Sequence, residues 1–209
     1  DKSLCLDPKS VESKITNKTK AIIYVGIGGN TGQLEEIQSI CKKHNLKLIL
    51  DAAHMAGTKI KNIFGGMGYT TEHVGKQADV TVFTQLQYLD EDNDYRNYIA
   101  EQYISNLKGI KGIKIIYDSP LVEKSSRHLF QIRVDKNKRD SIIEQLYKNE
   151  IYPGVHYIDN TTYPMYNYAF GSCPNAHQFS DELITLPIHL DITLEDISRV
   201  CNVLINTIT

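Results

Sequence analysis

Leu46-Lys47-Leu48-Ile49-Leu50-Asp51-Ala52-Ala53-His54-Met55-Ala56-Gly57 is the stretch on which the reading of this chain turns. A mostly apolar run ends in a carboxylate, two alanines, a histidine and a glycine. A short apolar run between turn signals predicts a buried parallel strand. In open α/β sheets, ligands collect beyond the carboxyl ends of such strands. Asp51 is therefore expected at that edge, with the small Ala52 and Ala53 leaving room for a flat ligand. An Asp at this place can equally cap the turn that follows. Taken alone, the stretch leaves both readings open.

Its flanks extend the pattern. Lys20–Gly26, carrying Ala21, Ile22, Ile23 and Val25, predicts a second buried strand. It breaks into Gly26-Ile27-Gly28-Gly29-Asn30, which lacks the full dinucleotide fingerprint and the Walker lysine-serine ending. That loop reads as a tight strand-to-helix turn in preference to a phosphate cradle. Thr31–Asn45 predicts an amphipathic helix with Leu34, Ile37, Ile40 and Cys41 on one face. Strand, helix and strand make a right-handed βαβ unit, and the fold class is α/β. Upstream, Asp7-Pro8 predicts a capped short helix over residues 8–14. Downstream, Gly57–Gly75 is loop-rich and Asp79–Thr84 predicts a third strand. Phe83-Thr84 then passes with no loop into Gln85–Leu89 and a long helix, on which Tyr95, Ile99, Tyr103 and Leu107 stand four residues apart. Such a junction is foreign to an α/β domain and marks a place where a segment is expected to be missing.

The remainder follows an α+β pattern. Residues 113–116 predict a short strand, and 128–134 a strand that alternates through Leu129, Phe130, Gln131, Ile132, Arg133 and Val134. Asp135 caps a helix with Ile142, Ile143 and Leu146 inward. Tyr152–Ile158 predicts another strand, at an edge because of Pro153. Asn175–Leu183 reads as helix after Pro174. Thr193-x-x-Asp196 is a capping box before a last helix whose core face carries Leu194, Ile197, Val200, Cys201, Leu204 and Ile208.

With 209 residues, 41% hydrophobic and 23% charged, the chain can bury a sizeable core in one or two domains. A net charge of −2, with basic residues scattered, gives no electrostatic reason to expect nucleic acid or an anionic membrane. Cys5, Cys41, Cys173 and Cys201 form no CxxC pair and read as thiols of a reducing, cytoplasmic compartment. No membrane span or signal peptide is expected. The chain opens on Asp and enters organised sequence at once, as a piece of something longer would.

Together, Leu50–Gly57, Ala78–Thr84, Gln85–Leu89, Val155-His156-Tyr157, Pro174-Asn175-Ala176 and Leu186-Pro187 resemble the DegT/DnrJ/EryC1/StrS sugar-nucleotide aminotransferases. Nearly the whole chain lies against that family in order. The resemblance implies a type I aminotransferase-like fold whose pyridoxal 5'-phosphate (PLP) lies in a large α/β domain with a parallel-rich sheet, followed by a smaller C-terminal α/β domain. Residues 1–84 would be the remnant of the large domain, 85–108 a connecting helix and 109–209 the small domain. Asp51 matches the carboxylate that pairs with the cofactor's pyridine nitrogen, and such a partner keeps that nitrogen protonated. His54 matches the residue beside the cofactor's phenolic oxygen. Thr84 stands where a hydroxyl meets the phosphate, which a neutral donor suits. His156 and Tyr157 match a segment near the substrate sugar, although a strand His-Tyr pair serves packing equally well. The aromatic stretch Tyr152, Tyr157, Tyr163, Tyr166 and Tyr168 could stack on a nucleotide-sugar or pack in a core or dimer. The implied substrates are a nucleotide-linked keto-sugar and glutamate, in amino-sugar or surface-polysaccharide synthesis, and the implied assembly is a homodimer.

Two family segments have no counterpart here. One is the N-terminal part that cradles the phosphate. The other, after Thr84, leads to the lysine that anchors the cofactor; five residues past Thr84 stands Leu89, and none of Lys59, Lys61 or Lys76 matches. A transaminase needs that lysine as anchor and as proton carrier, so the chain as written is expected to be inactive. The alternative is a non-catalytic relative that binds a sugar-nucleotide or a partner; a generic nucleotide-binding module is a third, weaker reading. No metal site is expected, because His73, His128, His177 and His189 lack ligand spacing and receive no site.

Overall fold

Alternation and a crossover helix build the first sheet. In a computed structural model, which describes residues 2–60, 88–120 and 122–208, β1 (Ala21–Val25) pairs in parallel with β2 (Lys47–Asp51). Their register runs from Ala21 opposite Lys47 to Val25 opposite Asp51, so both strands end together. Helix α1 (Pro8–Ser13) opens on Asp7, whose carboxylate accepts the Ser10 N–H at 2.8 Å. The crossover is α2 (Leu34–Lys43), with Glu35 and Glu36 in its first turn and Lys42 and Lys43 in its last, each favourable to the helix dipole. Leu34, Ile37, Ile40 and Cys41 are buried against Ile22, Tyr24 and Cys5, as the spacing predicts. The helix starts three residues later than its expected Thr31. Gly32 has φ +48°, and Asn30 Oδ1 takes the Gly32 N–H at 3.1 Å, which holds this segment in a turn.

The expectation of a fully buried strand at Leu46–Leu50 needs correction. β2 alternates exposed and half-buried residues, with Ile49 on its exposed side and Ile23 of β1 63% exposed. Among the described residues this sheet has two strands, and the side chains facing α2 are the ones that lose water. The expected strand Asp79–Thr84 lies outside the described residues, as do Thr84, Lys61 and Lys76.

The described residues group into two compact units: residues 1–97 with 117–128, and residues 98–116 with 129–209. Helix α3 (Leu89–Leu107) gives its first half to one and its second half to the other. Of its predicted apolar row, Ile99, Tyr103 and Leu107 are wholly buried, whereas Tyr95 stays 37% exposed, one turn short of that core. In the first unit, β3 (Lys59–Ile60) pairs antiparallel with β5 (Val122–Lys124), which the sequence reading did not anticipate. Lys124 Nζ lies 2.8 Å from Asp94 on α3.

The second unit has a three-stranded antiparallel sheet in the order β4 (Lys114–Ile115), β6 (Phe130–Arg133), β7 (Leu183–Leu186). Against it pack α4 (Lys136–Lys148), capped by Asp135, and α6 (Leu194–Ile208); α5 (Pro174–Glu182) leads into β7. Thr193 and Asp196 form the expected capping box: the Asp196 carboxylate accepts the Thr193 N–H at 2.9 Å, and the Asp196 N–H donates to Thr193 Oγ1 at 3.2 Å. Ile197, Val200, Cys201, Leu204 and Ile208 line the core, but Leu194, at the first position of α6, is 51% exposed. Burial pushes the Cys201 thiol up to about 11.

Tyr152–Ile158 is not a strand. A single bridge joins Gly154 to Thr185 of β7. Pro153 has no N–H to continue a ladder, and the His156 ring folds back over Gly154 to Thr185 Oγ1 at 3.0 Å. No described helix is long and apolar enough to cross a membrane.

Candidate functional site

Because β1 and β2 end in register, the residues that follow them emerge side by side. The Gly26 N–H donates to the Asp51 carbonyl at 3.2 Å, which ties the two exits together. Asp51 keeps an exposed carboxylate. Its Oδ1 accepts the Ala53 N–H at 3.1 Å, so the residue does cap its turn and still presents its carboxylate to solvent. The capping reading of Asp51 therefore holds, and the residue stands at the carboxyl end of β2.

His54 sits in the next turn, half-buried. Its Nδ1 accepts the Gly28 N–H at 3.3 Å. An N–H aimed at Nδ1 needs a lone pair there, which places the ring hydrogen on Nε2. Gly28 can direct its N–H this way at φ +65°, a conformation glycine adopts without strain. The glycine loop thus serves as a turn that feeds a donor to a side chain. Gly26 is required for a different reason. A Cβ there would lie 2.1 Å from Met55 Sδ, so the loop and the histidine turn touch at van der Waals distance.

A buried polar network, largely invisible in the sequence, carries this arrangement. Ser126 Oγ donates to the His54 carbonyl at 2.5 Å, and its N–H donates to Thr58 Oγ1 at 3.1 Å. Thr58 Oγ1 donates in turn to the Gly29 carbonyl at 3.3 Å. Asn30 Nδ2 reaches the Tyr117 carbonyl, and its Oδ1 accepts the Ser119 N–H at 2.9 Å. Arg127 pairs with Asp118 at 2.8 Å, both side chains at least four-fifths buried. Burial raises the Asp118 carboxyl above its ordinary range, and the Arg127 guanidinium only partly opposes this. Next along the chain, the His128 ring stacks on His54 with centroids 4.2 Å apart and planes 23° from parallel.

Of the residues singled out from sequence, Asp51 and His54 come together at one sheet edge, and Thr84 lies outside the described residues. His156 and Tyr157 belong to the second unit. There the His156 carbonyl accepts Gln131 Nε2 at 2.5 Å, its ring meets Thr185, and Tyr157 is 53% exposed with its ring edge-on to His156. Lys59 Nζ lies 3.9 Å from Asp90. No His/Cys/Asp/Glu group able to hold a metal ion occurs among the described residues. The sequence assigns no role to Asn30, Ser126 or Arg127, and His128 is considered there only as a metal ligand and given no site. The run Ser125-Ser126-Arg127-His128 just before an alternating strand was the available signal.

The DegT/DnrJ/EryC1/StrS aminotransferase family model matches residues 1–84 and, as a second match, 77–205. This chain belongs to that family. Solved structures carry the same α/β fold. DesV of S. venezuelae superposes with a TM-score of 0.85 at 22% identity, over 97% of this chain and 68% of its own. Helicobacter pylori PseC, an aminotransferase involved in the biosynthesis of pseudoaminic acid, gives 0.84 at 21% identity, over 100% of this chain and 72% of its own. A DegT/DnrJ/EryC1/StrS aminotransferase from Brucella abortus gives 0.83 at 19% identity with the same coverage. The aminotransferase fold of this family is present, and the chain spans about 70% of each relative's length.

Proposed function

We propose that this chain carries the ring-binding edge of a PLP-dependent aminotransferase for nucleotide-linked keto-sugars and does not complete the reaction as it stands. The observation that carries the reading is the pairing of Asp51 and His54 at the shared end of β1 and β2. Their donor set fits the ring of PLP. Asp51 holds one oxygen on Ala53, and its exposed carboxylate can accept a pyridinium N–H. His54 offers Nε2–H to a phenolic oxygen while Gly28 occupies Nδ1. When bound, PLP supplies an electron-poor ring that stabilises charge left at a substrate carbon. Asp51 would hold the ring nitrogen's proton, His54 would orient the ring, and Thr84 would meet the phosphate.

Two features support inactivity. The family match falls into two segments that overlap at residues 77–84, the place after which the resemblance would lead to an anchoring lysine. The described Lys59 is turned to Asp90. Without that lysine no side chain would carry the proton between substrate atoms. In this reading residues 1–84 are what remains of the large domain, 85–108 the connecting helix and 109–209 the small domain. His156 and Tyr157 would face the sugar, glutamate would be the amino donor, and the parent enzyme would be a cytoplasmic homodimer serving amino-sugar or surface-polysaccharide synthesis.

Titrating PLP into the purified chain and following its absorbance tests the cofactor edge. A shifted band that weakens in both Asp51→Asn and His54→Ala supports it. A spectrum identical to free PLP at every protein concentration would favour a relative that binds a sugar-nucleotide or partner without cofactor.

A further inference from the structure

His54 is held by the Gly28 N–H, by Ser126 and by the ring of His128. The Gly28 N–H meets Nδ1 at the ring's edge atom, and Ser126 holds the backbone carbonyl. The third contact is the stacked ring of His128. A parallel neighbour at 4.2 Å covers one face and leaves the ring only in-plane movement. His128 is itself anchored, because it follows Ser125, Ser126 and Arg127. Those three are tied to Asn97, Thr58 and Asp118. The Asn97 amide reaches the Ser125 carbonyl at 2.7 Å, and Arg127 adopts φ +45°, an unusual left-handed turn that sets the direction of the residue after it. The network places a ring at a site 74 residues away in sequence, against the side chain that would meet the cofactor.

We infer that His128 is a positioning residue: its ring clamps the His54 imidazole so that Nε2–H faces the cofactor edge and Nδ1 stays on Gly28. The inference rests on the cofactor reading of Asp51 and His54, but the clamp itself exists in the protein without cofactor. It acts through His54 and need not touch PLP. An aromatic ring of similar width should replace it, whereas a methyl group should not.

The test is a long-range proton–nitrogen NMR spectrum of the histidine rings on the full chain, for wild type, His128→Ala and His128→Phe. Wild type should show His54 as a single Nε2–H tautomer. His128→Ala should move its nitrogen resonances toward the average of the two tautomers and loosen PLP about three- to tenfold. His128→Phe should restore the wild-type pattern. An unchanged His54 pattern in a folded His128→Ala, judged by circular dichroism, would overturn the clamp. If His128→Ala does not fold, His128→Phe decides alone: a wild-type tautomer supports the clamp and a mixed one overturns it. A single Nε2–H tautomer in wild type, together with His54 resonances that ignore added PLP, would instead defeat the cofactor reading and leave the clamp standing.

Discussion

In the second unit, eighteen buried apolar residues form one cluster among the described residues, fifteen of them on α3, α4, α6, β6 and β7 and three, Val134, Ile151 and Ile192, in the connections. The corresponding cluster of the first unit has seven, and its sheet leaves Ile23 and Ile49 exposed. What the first unit has instead is polar: Asn30, Thr58, Ser126, Arg127 and Asp118, each buried or nearly so and each bonded to backbone or to another of the set. Burial of apolar area is non-directional, so the second unit tolerates exchange of its core residues within volume limits. Hydrogen bonds are directional and costly to leave unmade, so the first unit has less freedom but fixes atoms to a particular place. The polar unit carries Asp51 and His54, where placement matters.

The largest effect expected of this difference is in the apolar unit. Leu204→Ala removes a wholly buried side chain and should cost about 2–5 kcal/mol by urea unfolding, while Leu204→Met should cost under about 1.5 kcal/mol. In the polar unit the conservative exchange should be no gentler. Arg127→Met leaves the buried Asp118 carboxylate without its partner and should cost roughly 3 kcal/mol near neutral pH. Equal tolerance of Leu204→Met and Arg127→Met would break the contrast.

The pH dependence of Asp118 sharpens it. Its folded carboxyl is raised above the ordinary value, chiefly by burial. The folded state therefore keeps this proton longer than the unfolded chain does. The group's contribution is fully present below the unfolded value and is lost as pH rises through the folded one. Asp118→Asn should flatten that fall in a stability-against-pH curve; a slope identical to wild type there would contradict it.

A smaller effect is expected where the glycine loop meets the histidine turn. Gly26 has φ −85°, so its requirement is steric and not conformational. Gly26→Ala should cost about 1–3 kcal/mol by overpacking against Met55. Adding Met55→Ala should recover part of that loss in a double-mutant cycle, because the two residues are in contact. Additive costs would mean that the close approach is not what demands the glycine.

The legible parts of this chain were those in which periodicity and burial coincide. β1, α2, α4 and α6 show their apolar faces within a few turns of sequence, and the end of the apolar run at Asp51 marks the end of β2. Local pattern failed where a long-range contact decides. Tyr152–Ile158 alternates like a strand, yet Pro153 and the His156 ring end its ladder after one bridge. β2 read as buried because its composition is apolar, and composition does not say which neighbours are present. Ser126 and His128 meet His54 across more than 70 residues; no spacing rule reaches that far. Arg127 and Asp118 look like ordinary surface charges until the fold removes their water.

As proposed, this chain would keep an edge for the cofactor ring and would lack the lysine that anchors it. Borohydride reduction of the PLP-saturated chain, followed by intact mass and peptide mapping, tests it most directly. The account predicts a shifted absorbance band that gel filtration removes and no fixed mass gain after reduction. A stoichiometric mass gain of one pyridoxyl phosphate on a single lysine would contradict it, and would mean that this chain supplies its own anchor.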